Sequence, residues 1–441
     1  MTQASCPALL LTAPASGQGK TTLTAALARH LSQRGKKVRV FKTGPDYLDP
    51  QILQQASGYP VEQLDLWMCG EAYCRQRLFI AAQDADLILV EGAMGMFDGD
   101  PSSADLAALF NIPAGIIMDV SGMAQTAAAL ASGLANFRHD IQVAGLIANH
   151  CASQRHRELI ENALPQNLPL LFSIANQAEI ALPERHLGLV QASEITTELE
   201  QRLNKAAELL PAEDIDQLLV SLPQTDFHHQ AEFQHQTSTD IQKSLYGLTI
   251  AVAKDQAFSF IYQANIELLQ QLGADIRYFS PLSDDAIPES DALWLPGGYP
   301  ELHAKALSAN TNMTASLQRF HNSQKPILAE CGGFLYCLEA LELLNGERYA
   351  MASLLPGMAK MRERGGCQGM QSAPLPEGEI RGHSHHRSVA ECEAATIGFG
   401  QRAKHPAPGE AIYRHGSLTA SYLHLFFPSN PAAVSQLFSG N

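Results

Sequence analysis

Cys331 lies where an apolar run meets two glycines and a helical pattern, and this setting suits a nucleophile. The run 326–329 predicts a buried strand, Gly332 and Gly333 permit a sharp turn, and residues 334–344 predict a helix. A side chain on such a strand-to-helix turn projects at the edge of the sheet, and the free backbone N–H groups of the new helix favour a thiolate. We therefore predict that Cys331 is a catalytic nucleophile.

Two further segments carry the partners that a nucleophilic cysteine needs. His424 lies in the apolar, strand-like run 420–428, where a histidine is unexpected unless it is hydrogen-bonded or catalytic. Taken alone it is more typical of a core histidine, whereas together with Cys331 it predicts a Cys–His dyad. The apolar run that ends at Leu295 leads into a Gly-Gly turn at Gly297 and Gly298. The backbone N–H groups of Gly298 and Gly332 are the candidates for an oxyanion hole.

Residues 16–22 indicate a second chemistry, because Ser-Gly-Gln-Gly-Lys-Thr-Thr stands between a predicted strand and a predicted helix. In that setting, backbone N–H groups and the helix N-terminus surround phosphate oxygens. The residues predicted to bind ATP there are Gly17, Gly19, Lys20, Thr21 and Thr22. Lys20 would reach the terminal phosphates, and Thr21 would also bind Mg²⁺. The strict pattern has glycine where this chain has Pro14, and a Gly-rich turn without a ligand is the alternative interpretation.

Polar residues follow other predicted strands, at the edge where open α/β sheets bind their ligands. They are Lys42, Asp46 and Asp49 in the segment 41–50, Glu91 and Asp98 in the segment 90–99, and Asn149. Carboxylates beside a nucleotide usually hold Mg²⁺, directly or through water, so we predict Asp46 and Glu91 as metal ligands. Asp49 and Asp98 are equally typical of helix caps or Asx turns, and both interpretations stay open.

Two alternations of strand-like and helical patterns predict two α/β domains. Residues 1–222 alternate short β-rich runs with helices rich in Ala and Leu, which favours a parallel sheet flanked by helices. The strands predicted in this half are 7–11, 38–42, 87–91, 114–119 and 143–149. A second alternation fills 247–441, and residues 223–246, rich in Gln, His, Ser and Thr, have the composition of a linker. A chain of 441 residues also exceeds a single hydrophobic core.

Composition argues against several classes of function. The net charge of −15 disfavours binding to nucleic acid or to an anionic membrane. The apolar segment 8–13 is too short to span a membrane and lacks a basic flank, so it predicts a first strand. The eight cysteines show no metal-type pairing, which predicts free thiols in a reduced, cytoplasmic protein.

The motifs of both halves, in their order and combination, resemble the cobyrinate a,c-diamide synthase family of glutamine-dependent corrinoid amidotransferases. The resemblance covers nearly the whole chain. In the first half it depends on the phosphate loop and on the segments 42–49, 91–99 and 182–189. In the second half it depends on the segments 257–260, 296–301, 329–333 and 421–424, and on Arg381, His383 and His386.

The resemblance implies a dethiobiotin-synthetase-like ATP domain followed by a flavodoxin-like class I glutamine amidotransferase domain. It implies that the a and c carboxylates of cobyrinate become amides through acyl phosphates, each amidation using ATP with Mg²⁺ and L-glutamine. By position, Cys331 matches the nucleophile, His424 its base and Asn149 an adenine-binding residue. The residues that match the corrinoid and phosphoryl-transfer motifs are Lys42, Tyr47, Leu48, Asp49 and Asp98. The partners are then the corrinoid, glutamine and ATP, and the sequence permits a homodimer.

Two features depart from the family pattern. Many class I amidotransferases have a glutamate two residues after the histidine, whereas this chain has Phe426, so only a dyad is predicted. The segment 381–387 is denser in histidine than the family pattern. It is either a polar loop or a metal site, and no Cys or carboxylate completes a ligand set within it.

Three other functions stay open. The first is the same reaction on metal-free hydrogenobyrinate, which would need similar contacts at the ring edge. The second is the amidation of nickel sirohydrochlorin, which a related branch carries out. A P-loop ATPase that switches a regulatory partner is the third. Such proteins carry a lysine where this chain has Ala15, and they would leave the Cys331 turn without a purpose.

Overall fold

The computed structural model describes residues 2–185, 188–189, 191–229 and 243–440. The chain divides into two compact units, Met1–Ala231 and Glu232–Asn441, and this division falls inside the segment 223–246. Each unit contains its own largely parallel sheet, as the two alternations in the sequence predict. No helix in the described part of the chain is both long and apolar enough to span a membrane.

The first unit is built on a parallel sheet whose strands alternate with helices. Its strands are β1 (Thr2–Thr12), β2 (Val38–Lys42), β3 (Glu62–Gln63), β4 (Leu87–Glu91), β5 (Ala114–Asp119), β6 (Val143–Asn149), β7 (Leu170–Ser173), β8 (Glu184–Arg185), β9 (Gly188–Leu189) and β10 (Gln224–His229). Its helices are α1 (Lys20–Gln33), α2 (Leu48–Ser57), α3 (Glu71–Ala82), α4 (Ser103–Phe110), α5 (Gln125–Asn136), α6 (Gln154–Glu161), α7 (Thr196–Glu208) and α8 (Ala212–Ser221). The sheet order is β3-β2-β4-β1-β5-β6-β7, and every pairing along it is parallel. The strands predicted at 38–42, 87–91, 114–119 and 143–149 are confirmed with those bounds.

Apolar runs explain the central position of β1 and β4 in this sheet. Residues 8–11 and 87–91 are buried throughout, as expected for strands covered by helices on both faces. Leu23 of α1 packs in the same core as Leu9 and Leu11. Because burying one leucine stabilises a fold by about 1.5–3 kcal/mol, this core fixes the strand ends from which the predicted ligand loops emerge.

The interpretation of 223–246 as a linker is wrong at its start. Gln224–His229 forms β10, which pairs antiparallel with the first half of β1. Thr225 and Phe227 are buried, and the polar residues beside them are exposed. This two-residue period is the signal of a half-buried strand, and it is hidden in a composition that is polar overall. Residues 230–242 of the predicted linker lie outside the described residues.

The strands described in the second unit form one large sheet and two smaller ones. In spatial order, the large sheet contains β12 (Asp275–Phe279), β11 (Thr249–Ala253), β13 (Ala292–Leu295), β14 (Ile327–Glu330), β24 (Leu418–Ser421), β23 (Ala411–His415) and β21 (Ala395–Phe399). One smaller sheet contains β16 (Arg348–Ala350), β15 (Ala340–Glu342), β17 (Gly357–Met361) and β20 (Ser388–Cys392), and the other contains β22 (Gln401–Arg402), β18 (Gly369–Leu375), β19 (Gly378–Ser384) and β25 (His424–Leu425). The helices are α9 (Gln263–Gln271), α10 (Ala304–Ala309), α11 (Thr311–Asn322), α12 (Gly332–Cys337) and α13 (Pro431–Ser439). The pairings from β12 to β24 are parallel, which places β14 in the interior of the sheet.

The helix predicted at 334–344 is shorter than the sequence pattern indicates. Helix α12 ends at Cys337, and Leu338 is extended. The chain then enters β15, which pairs with β16 and β17. All the residues of α12 are buried, so its apolar pattern reflects complete burial and not one face of a longer helix.

Candidate functional site

The predicted phosphate loop connects the end of β1 with the start of α1. Gly17 and Gly19 have φ values of +77° and +89°, which residues with side chains rarely adopt. A Cβ atom at Gly19 would also collide with the side-chain amide of Asn149. Glycine at these positions therefore sets the path of the loop toward the N-terminus of α1, where backbone N–H groups suit an anion.

Asn149 holds this loop from the end of β6. Its Nδ2 donates a 3.0 Å hydrogen bond to the carbonyl oxygen of Gln18, and its Oδ1 accepts one from the N–H of His150. The side chain of Gln18 in turn accepts a hydrogen bond from the N–H of Asp119 at the end of β5. The structure thus shows Asn149 as a support of the loop, and its contact with adenine stays a prediction.

Glu91 ends β4 and is completely buried beside the phosphate loop. Its Oε1 accepts a 2.7 Å hydrogen bond from the Thr21 hydroxyl, and its Oε2 has no hydrogen-bond partner among the described residues. Burial, with the charge of Asp49, raises the pKa of Glu91, and the charge of Lys42 opposes this shift. A buried carboxylate oxygen without a partner, next to the Thr21 hydroxyl in the first turn of α1, fits Mg²⁺, which takes oxygen ligands.

Lys42 is buried between two carboxylates. Its Nζ lies 3.2 Å from Oε1 of Glu91 and 3.2 Å from Oδ2 of Asp49. Burial alone would lower the pKa of Lys42, but the surrounding carboxylates, Glu91 first, raise it. The ammonium group therefore stays charged and holds the two carboxylates in position.

Asp46 binds the start of α2. Its Oδ1 accepts hydrogen bonds of 2.9 Å from the N–H of Leu48 and 3.1 Å from the N–H of Asp49, as in an Asx-type cap. Burial, with the negative charge of Asp49, raises the pKa of Asp46 to about 7. Within the described structure no hydrogen bond joins Asp46 to Thr21 or Glu91, so its role as a metal ligand stays a prediction.

Lys20 is buried and bound by two backbone carbonyls. Its Nζ donates hydrogen bonds of 3.3 Å to the oxygen of Ala15 and 2.6 Å to the oxygen of Met94. Burial, with the charge of Lys42, lowers the pKa of Lys20. Met94 has a φ of +54°, and no sequence pattern indicated that the segment after β4 would bend to meet this lysine.

The other residues predicted for this site lie on loops and helix ends. Oδ2 of Asp98 accepts a 3.0 Å hydrogen bond from the N–H of Gly95, three residues earlier in its own segment. Tyr47 is the N-cap of α2, Leu48 is its first residue, and Thr22 is in the first turn of α1. Their contacts with nucleotide or corrinoid stay predictions.

Cys331 occupies the turn between β14 and α12. Its φ of +44° and ψ of −102° lie outside the regions that non-glycine residues normally adopt, a strain that is typical of nucleophile turns. Burial, and then the charge of Glu301, raises the pKa of the Cys331 thiol, while the N–H of Gly332 opposes this shift. The strand-turn-helix predicted around Cys331 is confirmed. Because its pKa is raised, the thiol is protonated in the free protein.

Gly298 and Gly332 bring two backbone segments together beside this turn. A Cβ atom at Gly332 would lie 2.8 Å from the nitrogen of Gly298, and one at Gly298 would collide with the carbonyl group of Ala257. Glycine at both positions therefore permits the close approach. Two neighbouring backbone N–H groups are what the predicted oxyanion hole requires.

His424 reaches the same Gly-Gly turn from β25. A Cβ atom at Gly297 would collide with its imidazole ring, so the ring lies directly against the turn that also borders Cys331. Burial, and then the charges of two neighbouring histidines, lowers the pKa of His424 to about 3. The ring is therefore neutral in the free protein, and one of its nitrogens carries a lone pair.

Aromatic rings pack against His424. Its ring stacks on His383, with centroids 4.9 Å apart and planes at 16°. Nδ1 of His383 lies 3.3 Å from the hydroxyl of Tyr262. Phe426 is completely buried and packs edge-on against Tyr262. The position that carries glutamate in many class I amidotransferases thus belongs to the hydrophobic core here.

Glu330 is a structural member of this site that sequence reasoning missed. Its Oε1 accepts a 2.8 Å hydrogen bond from the N–H of Leu425, and its Oε2 accepts one of 2.9 Å from Nε1 of Trp294. Burial raises the pKa of Glu330 to about 8. The carboxyl group thereby ties the segment of His424 to β13 and β14. The available signal was a glutamate that ends an apolar strand directly before the cysteine.

The histidine-dense segment 381–387 contributes a buried His386–Glu410 pair. Nε2 of His386 lies 2.9 Å from Oε1 of Glu410, and Nδ1 lies 3.0 Å from the carbonyl oxygen of Ser388. The ring stacks on Tyr422 with centroids 3.7 Å apart. Across the described residues, no three His, Cys, Asp or Glu side chains form a group that holds a metal ion, so a metal site in this segment finds no support.

Two family models match this chain, one for each unit. The model described as a CobQ/CobB/MinD/ParA nucleotide binding domain matches residues 9–190. The model described as a CobB/CobQ-like glutamine amidotransferase domain matches residues 249–432. The phosphate loop and the Cys331 turn therefore each lie inside a matched region.

Curated relatives match the chain over its full length. The hydrogenobyrinate a,c-diamide synthase of Pseudomonas aeruginosa is 48% identical over 439 residues, which covers 100% of this chain and 99% of that protein. The enzyme with the same name from Stutzerimonas stutzeri is 48% identical over 437 residues, covering 99% of each chain. The cobyrinate a,c-diamide synthase of Herminiimonas arsenicoxydans is 44% identical over 437 residues, covering 98% of this chain and 96% of that protein.

Proposed function

Because this chain belongs to the cobyrinate and hydrogenobyrinate a,c-diamide synthase family, we propose that it amidates the a and c side-chain carboxylates of a cobyrinate-type corrin ring. Glutamine supplies the nitrogen, and ATP activates each carboxylate as an acyl phosphate. The supporting observation is that one chain combines a strained Cys331 turn with a phosphate loop beside the orphaned oxygen of Glu91. An enzyme that releases ammonia and captures it on an activated acid needs both features.

In the second unit, the chemistry begins with a neutral thiol and a neutral imidazole. His424 accepts the proton of Cys331, and the thiolate attacks the carboxamide carbon of glutamine. The N–H groups of Gly298 and Gly332 stabilise the oxyanion of the tetrahedral intermediate. The imidazolium then returns its proton to the leaving ammonia, and water hydrolyses the thioester to glutamate.

In the first unit, the phosphate loop binds ATP, and a ring carboxylate attacks its γ-phosphate. Lys20 exchanges its carbonyl partners for phosphate oxygens, which spreads the charge of the transferring group. ADP leaves, and ammonia displaces phosphate from the acyl phosphate to form the amide. Bound Mg²⁺ would neutralise charge on the phosphates, and Thr21 and Glu91 would hold it, with Asp46 as the further candidate ligand.

The metal-free ring is the second candidate substrate. Two of the matching relatives, each 48% identical to this chain, are named for hydrogenobyrinate, and the relative from Herminiimonas arsenicoxydans, which is named for cobyrinate, is 44% identical. Parallel assays with the cobalt ring and the metal-free ring distinguish the candidates by their kcat/KM values.

Mass spectrometry of the product tests the reaction. Incubation of the ring with ATP, Mg²⁺ and glutamine should give two amide-sized mass changes. Cys331→Ser should abolish glutamate release, whereas Cys331→Ala supplied with high ammonium at alkaline pH should still form product. No mass change with any nitrogen source would contradict the proposal.

The cellular setting and the assembly are further parts of the proposal. Free thiols and the use of ATP suit a cytoplasmic enzyme, which fractionation of expressing cells would test. A homodimer is the proposed assembly, and sedimentation of the purified protein measures it.

A further inference from the structure

The ring that lies flat against the imidazole of His424 belongs to another histidine, His383. The two ring centroids are 4.9 Å apart, and the ring planes meet at 16°. Strands β19 and β25 are antiparallel neighbours, and their register places His383 directly opposite His424. Because opposed residues of an antiparallel pair project from the same face of the sheet, the strand pairing itself brings the two rings together.

The backbone of β25 is fixed close to β19. A Cβ atom at Gly382 would collide with the carbonyl oxygen of His424, so glycine is what permits this approach. The N–H of Leu425 donates a 2.8 Å hydrogen bond to Oε1 of Glu330, which directly precedes Cys331. These contacts fix the backbone of the base relative to that of the nucleophile, but they do not set the rotation of the imidazole ring.

The rotation of that ring matters for catalysis. A general base must aim one nitrogen at the proton that it takes, and the χ2 torsion of a histidine has only broad preferences of its own. Many class I amidotransferases carry a glutamate two residues after the histidine, whereas the side chain of Phe426 has no polar atom and is completely buried. The stack on His383 is therefore the contact that can fix the plane of the His424 ring.

The edge of the His383 ring is held in turn by Tyr262. The Tyr262 hydroxyl lies 3.3 Å from Nδ1 of His383, and the two side chains are 1% and 3% exposed. Tyr262 also packs edge-on against Phe426, with centroids 5.8 Å apart. Burial, and then the charge of His424, lowers the pKa of His383. A neutral ring at this position does not repel the imidazolium that forms on His424 during the reaction.

We propose that His383 is the positioning residue of the base, because its stacked ring, fixed by Tyr262, sets the plane of the His424 imidazole. The inference rests on the proposed function, since it assumes that His424 is the base in glutamine hydrolysis. His383 acts through His424 and takes no proton from the thiol itself. The role requires a flat ring and not an ionisable group, so a phenyl ring at the same position should retain most of it.

The test compares two variants that differ in the flat ring. His383→Leu should lower the kcat for glutamine hydrolysis about 10- to 100-fold, because a shift of ~1 Å in a catalytic group costs up to about 100-fold. Its KM should stay within about threefold of the wild-type value, because the substitution changes orientation and not binding. His383→Phe should restore kcat to within about fivefold of the wild type. A wild-type kcat in His383→Leu, or a loss in His383→Phe as deep as that in His383→Leu, would overturn the proposal.

A double-mutant cycle tests whether Tyr262 acts through His383. Tyr262→Phe removes only the hydroxyl and should lower kcat about 3- to 10-fold, the net worth of one hydrogen bond. The same substitution should have no further effect in His383→Phe, which has no Nδ1 to hold. A hydroxyl that merely stabilised the fold would lower kcat equally in both backgrounds, and that additive result would contradict the proposal.

The matched control is a second pair of stacked histidines in the same unit. The rings of His321 and His415 have centroids 5.5 Å apart and planes at 24°. His415 pairs with Leu418 at the start of β24, whereas the turn of Cys331 follows the other end of the neighbouring strand β14. His415→Leu should therefore leave kcat and KM within about twofold of the wild type. A fall in kcat as large as in His383→Leu would mean that losing any stacked pair loosens the unit, and would refute a specific role.

The double-mutant cycle decides even where His383→Leu does not fold. A loss of kcat in Tyr262→Phe that disappears in His383→Phe supports the proposal, and an unchanged kcat in Tyr262→Phe overturns it. Wild-type protein that releases no ammonia from glutamine contradicts the proposed function itself. Wild-type protein that hydrolyses glutamine, with variants that hydrolyse it equally well, contradicts only the role of His383, so the two failures are distinguishable.

Discussion

At the scale of single residues, burial sets the protonation of the nucleophile and its base before any substrate arrives. The pKa of the Cys331 thiol is raised above its ordinary value of 9.0, and the pKa of His424 is lowered to about 3. At pH values between about 3 and 9, the thiol and the imidazole are therefore both uncharged. The free enzyme thus differs from cysteine enzymes whose resting state is a thiolate–imidazolium pair.

This protonation state predicts how Cys331 reacts with iodoacetamide as the pH changes. Because only the thiolate is alkylated, the rate should show no midpoint between pH 5 and 8 and should rise steeply only above about pH 9. Quantification of the modified peptide by mass spectrometry measures this profile. The same peptide in urea-unfolded protein should titrate near its ordinary pKa of 9.0. A midpoint near neutral pH in the folded protein would indicate a resting ion pair instead.

Asp46 provides a residue-scale prediction about stability. Its folded pKa of about 7 lies above its ordinary value of 3.8, so the folded state binds more protons than the unfolded state between these values. The free energy of unfolding should therefore fall as the pH rises from 4 to 7. Asp46→Asn keeps an oxygen for the two N–H groups of α2 and removes the charge.

The Asp46→Asn protein should accordingly melt a few degrees higher than the wild type at pH 8, with little gain at pH 4, since about 1 kcal/mol shifts Tm by ~2–4 °C in a domain of this size. It should also lose amidation, because Asp46 is a proposed metal ligand. Thermal unfolding at the two pH values measures the first effect. A variant that melts lower than the wild type at pH 8 would show that the charged form of Asp46 stabilises the fold.

At the scale of elements, the phosphate loop depends on β6 as much as on its own sequence. Gly19 combines a φ of +89° with a contact on Asn149 that leaves no room for a Cβ atom. Gly19→Ala should therefore displace the loop and weaken ATP binding at least tenfold in calorimetry, with glutaminase activity retained. Gly133→Ala in α5 has open space around it and should bind ATP like the wild type. Equal affinities in both variants would contradict this account of the loop.

The sequence predicted the elements better than the contacts between them. The strand 143–149 was predicted with its observed bounds, because an apolar run between polar residues is a local signal. The contact of Asn149 with Gln18 was not predictable, because it requires the sheet order that places β6 two strands from β1. Likewise, the strand at the start of 223–246 became recognisable only once β1 was known to extend to Thr2.

In the second site, too, the sequence predicted single residues but not the contacts between distant segments. Cys331 stood out because its turn has a local signature, whereas the stack of His383 on His424 joins residues from β19 and β25. Glu330 stood out as a glutamate that ends an apolar strand, but its hydrogen bonds to Leu425 and Trp294 join segments that are distant in the sequence. Such roles arise from burial, which a single sequence shows only through its apolar runs.

At the scale of the whole molecule, two units with separate hydrophobic cores hold the two half-sites. Among the described residues, one cluster of buried apolar side chains packs on the sheet of the first unit, and two others pack on the large sheet of the second. Lys20 and Cys331 therefore depend on different cores. A substitution at either residue should leave the packing that positions the other unchanged.

The last prediction follows from this division and concerns the two half-reactions. Lys20→Met should abolish formation of the amide product and leave the kcat/KM for glutamine hydrolysis within about twofold of the wild-type value. Cys331→Ala should do the reverse, losing hydrolysis of glutamine while still amidating the ring with ammonium. Because product formation and glutamate release are measured in the same reaction mixtures, each variant serves as the control for the other. Loss of glutamine hydrolysis in Lys20→Met, in protein with a wild-type melting profile, would mean that the ATP site activates the glutaminase site, and the units would then not act independently.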